Sequence, residues 1–144
     1  MVQIIAMSGA ITGGCHCGFV RYELRQKPHS TGYCHCRTCQ RTTGGPVLVW
    51  SEVAVENFTY TAGEPSVYRS SEDGERRFCP RCGSPLEFRK RNAPDAVEVY
   101  AANLDEPSCV SPKVHIFTAD RIPWFDVKDD LPRFAERPGA GSGD

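Results

Sequence analysis

The chain of 144 residues holds no apolar run approaching the ~20 residues that a transmembrane helix needs. No helical membrane span is expected. Its first residues, Met1 to Gly9, lack the positively charged start and the full apolar stretch of a secretory signal. A cytoplasmic setting with reduced thiols is the expectation. Excess charge is missing too: 17 Lys and Arg stand against 18 Asp and Glu, a formal net charge of -1. That leaves no electrostatic footprint for nucleic acid or for an anionic membrane surface. The aromatic residues lie in strand patterns rather than along a basic stripe, which disfavours a single-strand nucleic-acid platform. Long helical patterns are absent as well, because Pro and Gly interrupt the chain repeatedly. With no repeat and no linker, a single domain is expected, long enough to bury a core without help from metals.

What remains is a succession of short strand patterns. Phe19 to Leu24 alternates, with Val20, Tyr22 and Leu24 on one face and Arg21 and Glu23 on the other. Further strands are predicted at Pro46–Trp50, Phe58–Thr61, Ser66–Ser70, Arg76–Phe78, Leu86–Lys90, Ala96–Ala102 and Val114–Phe117, with Ser71–Glu75 as a hairpin loop. Single helical turns are predicted around Arg37–Thr42 and near Leu131–Glu136. The fold class expected is all-β, a single domain of short antiparallel strands. Its limits are placed at residues 13–137, between an N-terminal extension over 1–12 and a Gly/Ser-rich tail over 138–144 that is expected to be disordered.

Seven of the eight cysteines fall into three clusters: Cys15-His16-Cys17, Cys34-His35-Cys36-Arg37-Thr38-Cys39 and Cys79-Pro80-Arg81-Cys82-Gly83. Thiols one or two residues apart converge on a point, as metal ligands must. Disulfides are the competing explanation, and the two Cys-x-Cys pairs oppose it because neighbours so close cannot bridge without strain. The Cys79–Cys82 turn has the form of a zinc knuckle, with Gly83 easing its backbone. Such a knuckle supplies two ligands and needs another pair. Cys15 and Cys17 are the simplest partner, giving a closed four-thiolate structural site. Cys34, Cys36 and Cys39 then cap one face of a second tetrahedron, with the fourth position left to water, substrate, a His or Cys109. A different division, in which Cys34 and Cys36 join Cys15 and Cys17 and leave Cys39 free, is also consistent with the spacing.

Flanked by ligands, His16 and His35 are expected to point away from the metal. His115 lies in a strand pattern and reads either as a hydrogen-bonded core histidine or as a pocket acid/base. His29 carries no signal, and Cys109 reads as a free buried thiol. Arg37, Arg41, Arg76, Arg77 and Arg81 lie in or beside the clusters, either as local compensation for thiolate charge or as solvated surface groups. Trp50, Tyr60, Tyr68, Trp124 and Phe125 are expected in the core or a pocket wall.

The order Gly14-Cys-His-Cys-Gly18, then Tyr33-Cys-His-Cys-Arg-Thr-Cys-Gln40, then Arg77-Phe-Cys-Pro-Arg-Cys-Gly-Ser84 resembles the glutathione-dependent formaldehyde-activating enzyme family, which includes centromere protein V. Val20-Arg-Tyr22, Gly44-Gly45, Phe58, Gly63, Ala101-Ala-Asn-Leu-Asp105, His115-Ile-Phe117 and Trp124 extend the likeness across about Gly13 to Pro132. The resemblance implies coiled, folded sheets of the β-tent type, shared with small zinc-binding accessory proteins of Rab GTPases. It implies two zinc ions per chain: a structural one on Cys15, Cys17, Cys79 and Cys82, and a catalytic one on Cys34, Cys36 and Cys39. It implies a carbon–sulfur lyase that joins a small thiol, glutathione in the type reaction, to an aldehyde such as formaldehyde. His35 and His115 are the candidate catalytic groups, as proton shuttles. The rival expectation is a non-catalytic, zinc-stabilised protein-interaction module.

Overall fold

The computed structural model describes residues 9–138, so most of the expected extension and tail lies outside the described residues. The alternating pattern after the first cysteine pair is a strand, with Tyr22 and Leu24 fully buried and Arg21 and Glu23 turned outward. It is the middle of a three-stranded antiparallel sheet formed by β1 (Ile11–Gly14), β2 (Arg21–Leu24) and β5 (Phe58–Ala62) in the order β1-β2-β5. The other strands are β3 (Ser30–Cys34), β4 (Leu48–Ala54), β6 (Ser66–Arg69), β7 (Gly74–Phe78), β8 (Pro85–Lys90), β9 (Ala93–Tyr100) and β10 (His115–Ile116). They form a seven-stranded sheet in the order β10-β3-β4-β9-β8-β7-β6. All neighbours are antiparallel except β10 and β3, which pair in parallel. The fold is therefore all-β, and the short helix α1 (Arg37–Thr43) is its longest helical element among the described residues.

The larger sheet buries side chains on both faces. One face packs Val53, Val97, Val99 and Leu86 against Val20, Tyr22, Leu24 and Phe58 of the smaller sheet. Within it sits a carboxylate, Glu87, fully buried and accepting hydrogen bonds from the Tyr60 hydroxyl (2.7 Å) and from Arg89 (3.0 Å), with Arg77 also close. The other face gathers Cys34, Cys36, Cys39, Trp50 and Ile116, flanked by Leu48, Val114 and Phe117. Trp50 pairs across the sheet with Gly32. A Cβ at Gly32 would come within 2.7 Å of both the indole and Val114, so the missing side chain is what makes room for the ring in the cluster that holds the cysteines.

Several elements differ from expectation. β1 begins at Ile11, two residues before Gly13. β3 carries too few strongly apolar residues to announce itself and is fixed by its neighbours instead. No helix forms at Leu131–Glu136. The segment instead runs alongside β10, with the His115 N–H donating to the Pro132 carbonyl and the Phe134 N–H to the His115 carbonyl. Tyr68 and Trp124, expected in a core or pocket wall, are exposed, Trp124 at 76%.

Candidate metal centre

Two turns bring four thiols together. Cys15 and Cys17 follow β1, Cys79 and Cys82 follow β7, and the Gly83 N–H closes the second turn on the Cys79 carbonyl at 2.9 Å. The Cys15–Cys17 and Cys17–Cys79 sulfurs stand 3.7 and 3.8 Å apart. All four sulfurs lie within 4.8 Å of one another. Zinc–sulfur bonds of about 2.3 Å require tetrahedral edges of about 3.8 Å, whereas a disulfide requires about 2.05 Å. Backbone N–H groups of Val20, Arg81 and Cys82 point at the Cys15 and Cys79 sulfurs at 3.2 to 3.4 Å. Such donors stabilise thiolates, and the donor set fits a zinc ion. The Ser84 hydroxyl and backbone draw the Cys82 thiol down to about 5. The division that joins Cys34 and Cys36 to Cys15 and Cys17 is not what the chain adopts.

The second group is built from one strand end and one helix start. Cys34 ends β3, Cys36 caps α1, and Cys39 lies in the first turn of α1. The Cys39 N–H donates to the Cys36 sulfur at 3.3 Å, and the Cys34 and Cys39 sulfurs are 3.4 Å apart. Gly44 stops the helix in a left-handed conformation, φ 76°, which L side chains resist. All three cysteines are buried. Without a cation their thiols conflict. Hydrogen bonds from Cys34 and Cys39 pull Cys36 down to about 3, and Cys34 is driven up by its two neighbours and by burial. The Cys34 contact favours ionising Cys39, yet Cys36 and burial push that thiol up to about 12. A dication removes the conflict, so this donor set fits zinc as well.

Among the described residues the group contains these three donors. Cys109 packs against the other core, and the His35 ring turns away from the sulfurs between which its backbone lies. It meets His115 instead, Nε2 to Nδ1 at 2.9 Å, with the rings stacked 5.1 Å apart. His115 Nε2 reaches the Asp129 carboxylate at 3.0 Å, which the Arg133 guanidinium holds at 2.9 Å. His35 and His115 line a cavity of about 320 Å³ together with Thr118, Arg121, Asp126 and Arg133. His16 is exposed, and its backbone N–H donates to Ser84. His29 bonds Glu52 at the surface.

Asp129 is the neighbour that sequence reasoning missed; Arg76, read there among five arginines that either offset thiolate charge or lie solvated on the surface, is buried. The Arg76 Nη1 lies 3.1 Å from the Tyr100 hydroxyl and 3.8 Å from the Cys39 sulfur. Of the other arginines near the clusters, Arg37 and Arg41 are exposed on α1, Arg77 faces Glu87, and Arg81 covers the Phe19 ring at 3.8 Å.

A small all-β domain, pinned by one closed four-thiol group and carrying a second group of three thiols beside a histidine pair, is the class that fold and site define together. The chain belongs to the glutathione-dependent formaldehyde-activating enzyme family, whose match spans residues 10–120. A Halomonas elongata protein provisionally named glutathione-dependent formaldehyde-activating enzyme is 29% identical over 127 residues, covering 82% of this chain and 81% of its own. A Schizosaccharomyces pombe protein named as an uncharacterised lyase is 25% identical over 133 residues, covering 81% of this chain and 96% of its own. The crystal structure of a Rhodobacter sphaeroides protein shares the fold, with a TM-score of 0.58 at 21% identity over 85% of this chain and 98% of its own.

Proposed function

We propose that this protein is a carbon–sulfur lyase that joins a small thiol of the glutathione kind to an aldehyde of the formaldehyde kind, and reverses that reaction. Cys34, Cys36 and Cys39 hold the catalytic zinc; Cys15, Cys17, Cys79 and Cys82 hold the structural one. A zinc ion on three thiolates supplies a soft Lewis acid that favours the deprotonated form of an incoming thiol. The observation that carries the reading is a cluster of three donors, where the other cluster has four.

The reaction forms one bond between the thiol sulfur and the carbonyl carbon. The carbonyl π pair moves to oxygen, and the proton that left sulfur ends on that oxygen. The chain's part in this transfer is an ordered pair of imidazoles. Burial raises the Asp129 carboxyl, but hydrogen bonds from His115, the Leu131 N–H and Arg133 outweigh it and hold the group below its ordinary value. As a carboxylate, Asp129 fixes the proton of His115 on Nε2. Nδ1 then accepts from His35 Nε2–H. The remaining lone pair is on His35 Nδ1, buried without a protein partner among the described residues. Burial, reinforced by His115, Arg121 and Arg133, pushes His35 down to about 4, so the ring is a neutral base at pH 7. Arg121 and Arg133 on the adjoining cavity suit the carboxylates of a glutathione-like thiol.

The test combines zinc analysis with carbon-13 NMR of formaldehyde exchanging with glutathione. Two zinc ions per chain and accelerated exchange are expected, with Cys39→Ser losing one zinc and the acceleration. A single zinc in the wild type, or an unchanged Cys39→Ser, refutes the assignment. Two zinc ions with no response to any small thiol favours the interaction module.

A further inference from the structure

Arg76 is a buried cation whose partner is not a carboxylate. Its side chain rises from β7 on the face that carries the three cysteines and is 4% exposed. Nε donates to the Ser70 hydroxyl at 3.0 Å, Nη1 to Tyr100, and the guanidinium lies 4.8 Å over the Phe88 ring. No carboxylate among the described residues forms an ion pair with it. Arg77, next along β7, and Arg89, on the adjoining strand β8, both turn to Glu87 on the opposite face. A guanidinium does not give up its proton, and a buried charge without a countercharge is strongly unfavourable. Ser70 cannot supply an anion, and burial holds the proton on Tyr100. Among the described residues the remaining group within reach is the Cys39 sulfur, which is a thiolate when the cluster holds a dication. Two N–H donors around this centre, Arg76 Nη2 and Trp50 Nε1, are buried with no protein acceptor among the described residues. Donors in excess of acceptors mark the surroundings of an anion.

Three thiolates on a dication carry one net negative charge, and one guanidinium cancels it. We propose that Arg76 is the built-in counter-cation of the Cys34–Cys36–Cys39 centre, a positioning residue that keeps the metallated cluster neutral inside the domain. The inference rests on the reading that this cluster holds a dication. Its consequence is chemical: a neutral centre accepts a further thiolate with less opposition than an anionic one. Among the described residues the four-cysteine group has no such buried cation; Arg81 beside it is exposed.

The experiment follows zinc release to a chromogenic chelator, independently of any turnover. Wild-type protein is expected to release two equivalents in two phases, and Cys39→Ser, lacking the three-cysteine metal, identifies the phase that belongs to that centre. Arg76→Met is expected to accelerate that phase at least tenfold and leave the other within twofold. Arg76→Lys, which keeps the charge, is expected to stay within about threefold of wild type; it also serves if the Met variant fails to fold. Unchanged release from Arg76→Met, equal acceleration of both phases, or tenfold acceleration in Arg76→Lys overturns the proposal. Release of one equivalent from the wild type overturns the underlying reading, a result distinct from all of these.

Discussion

If Cys15, Cys17, Cys79 and Cys82 hold a zinc ion as proposed, replacing Cys82 by Ser tests that ion as a cross-link. Cys82 is exposed, so little packing is lost with its sulfur. What is lost is a closure between the β1–β2 turn and the β7–β8 turn, whose thiols Cys17 and Cys79 are 62 residues apart. Treated as a covalent staple across such a loop, the closure restricts the unfolded chain by about 4 kcal/mol at 25 °C. For a chain of this length the unfolding entropy is about 0.3 kcal/mol/K near 60 °C, so the expected fall in Tm is roughly 10–15 °C. The assay is calorimetric melting of metal-loaded wild type and Cys82→Ser, with zinc counted in both. The variant should contain one zinc rather than two. A Tm within about 3 °C of wild type after loss of that zinc would show that the cluster is not a staple. Retention of two zinc ions would show that Cys82 is not a ligand.

Asp129→Asn keeps the shape of the group that orients His115 but removes its charge. Turnover in thiol–aldehyde exchange is expected to fall roughly 10- to 100-fold, the usual cost of losing such an orienting partner, with zinc content unchanged; turnover within twofold of wild type would refute the relay. Asp105 is held below its ordinary value by its hydrogen bond from Arg21, against the opposing effect of burial, with Thr12 assisting. A depressed carboxylate stabilises the fold above its unfolded value of about 3.9 and ceases to do so as the pH falls through its folded value. Asp105→Asn should therefore melt below wild type at pH 7, and melting curves of the two should converge as the pH drops below the ordinary carboxylate range. A gap that persists unchanged at low pH would refute the assignment.

The cysteine groups were legible because ligand geometry is local: a two-residue spacer in Cys79–Cys82 reports a tight turn wherever it occurs. Strands with clear alternation, such as the one through Tyr22 and Leu24, were legible for the same reason. β3 was not, because Ser30, Thr31 and Gly32 become strand residues only through β4 and the Trp50 ring that Gly32 accommodates. The histidine pair escaped as a pair. His35 and His115 are 80 residues apart, and their meeting depends on the short parallel strand β10. Asp129 went unnoticed because the stretch just after it, expected to be a helical turn, pairs with β10 instead. Arg76 was read among several arginines, and its burial against Tyr100 and the Cys39 sulfur is what distinguishes it from Arg37 and Arg41. Composition and pattern reveal which groups are present. They do not reveal which face of a seven-stranded sheet each one takes.

The order of the clusters along the chain also matters while the protein is being made. Five thiols, Cys15 to Cys39, are synthesised before Cys79 and Cys82. During that interval Cys15 and Cys17 have no Cys79–Cys82 turn to join. The N–H from Cys39 to the Cys36 sulfur lies within α1 itself and forms as soon as that helix turns. That contact needs nothing from later in the chain, whereas the four-thiol group is complete only once Cys79 and Cys82 have been added.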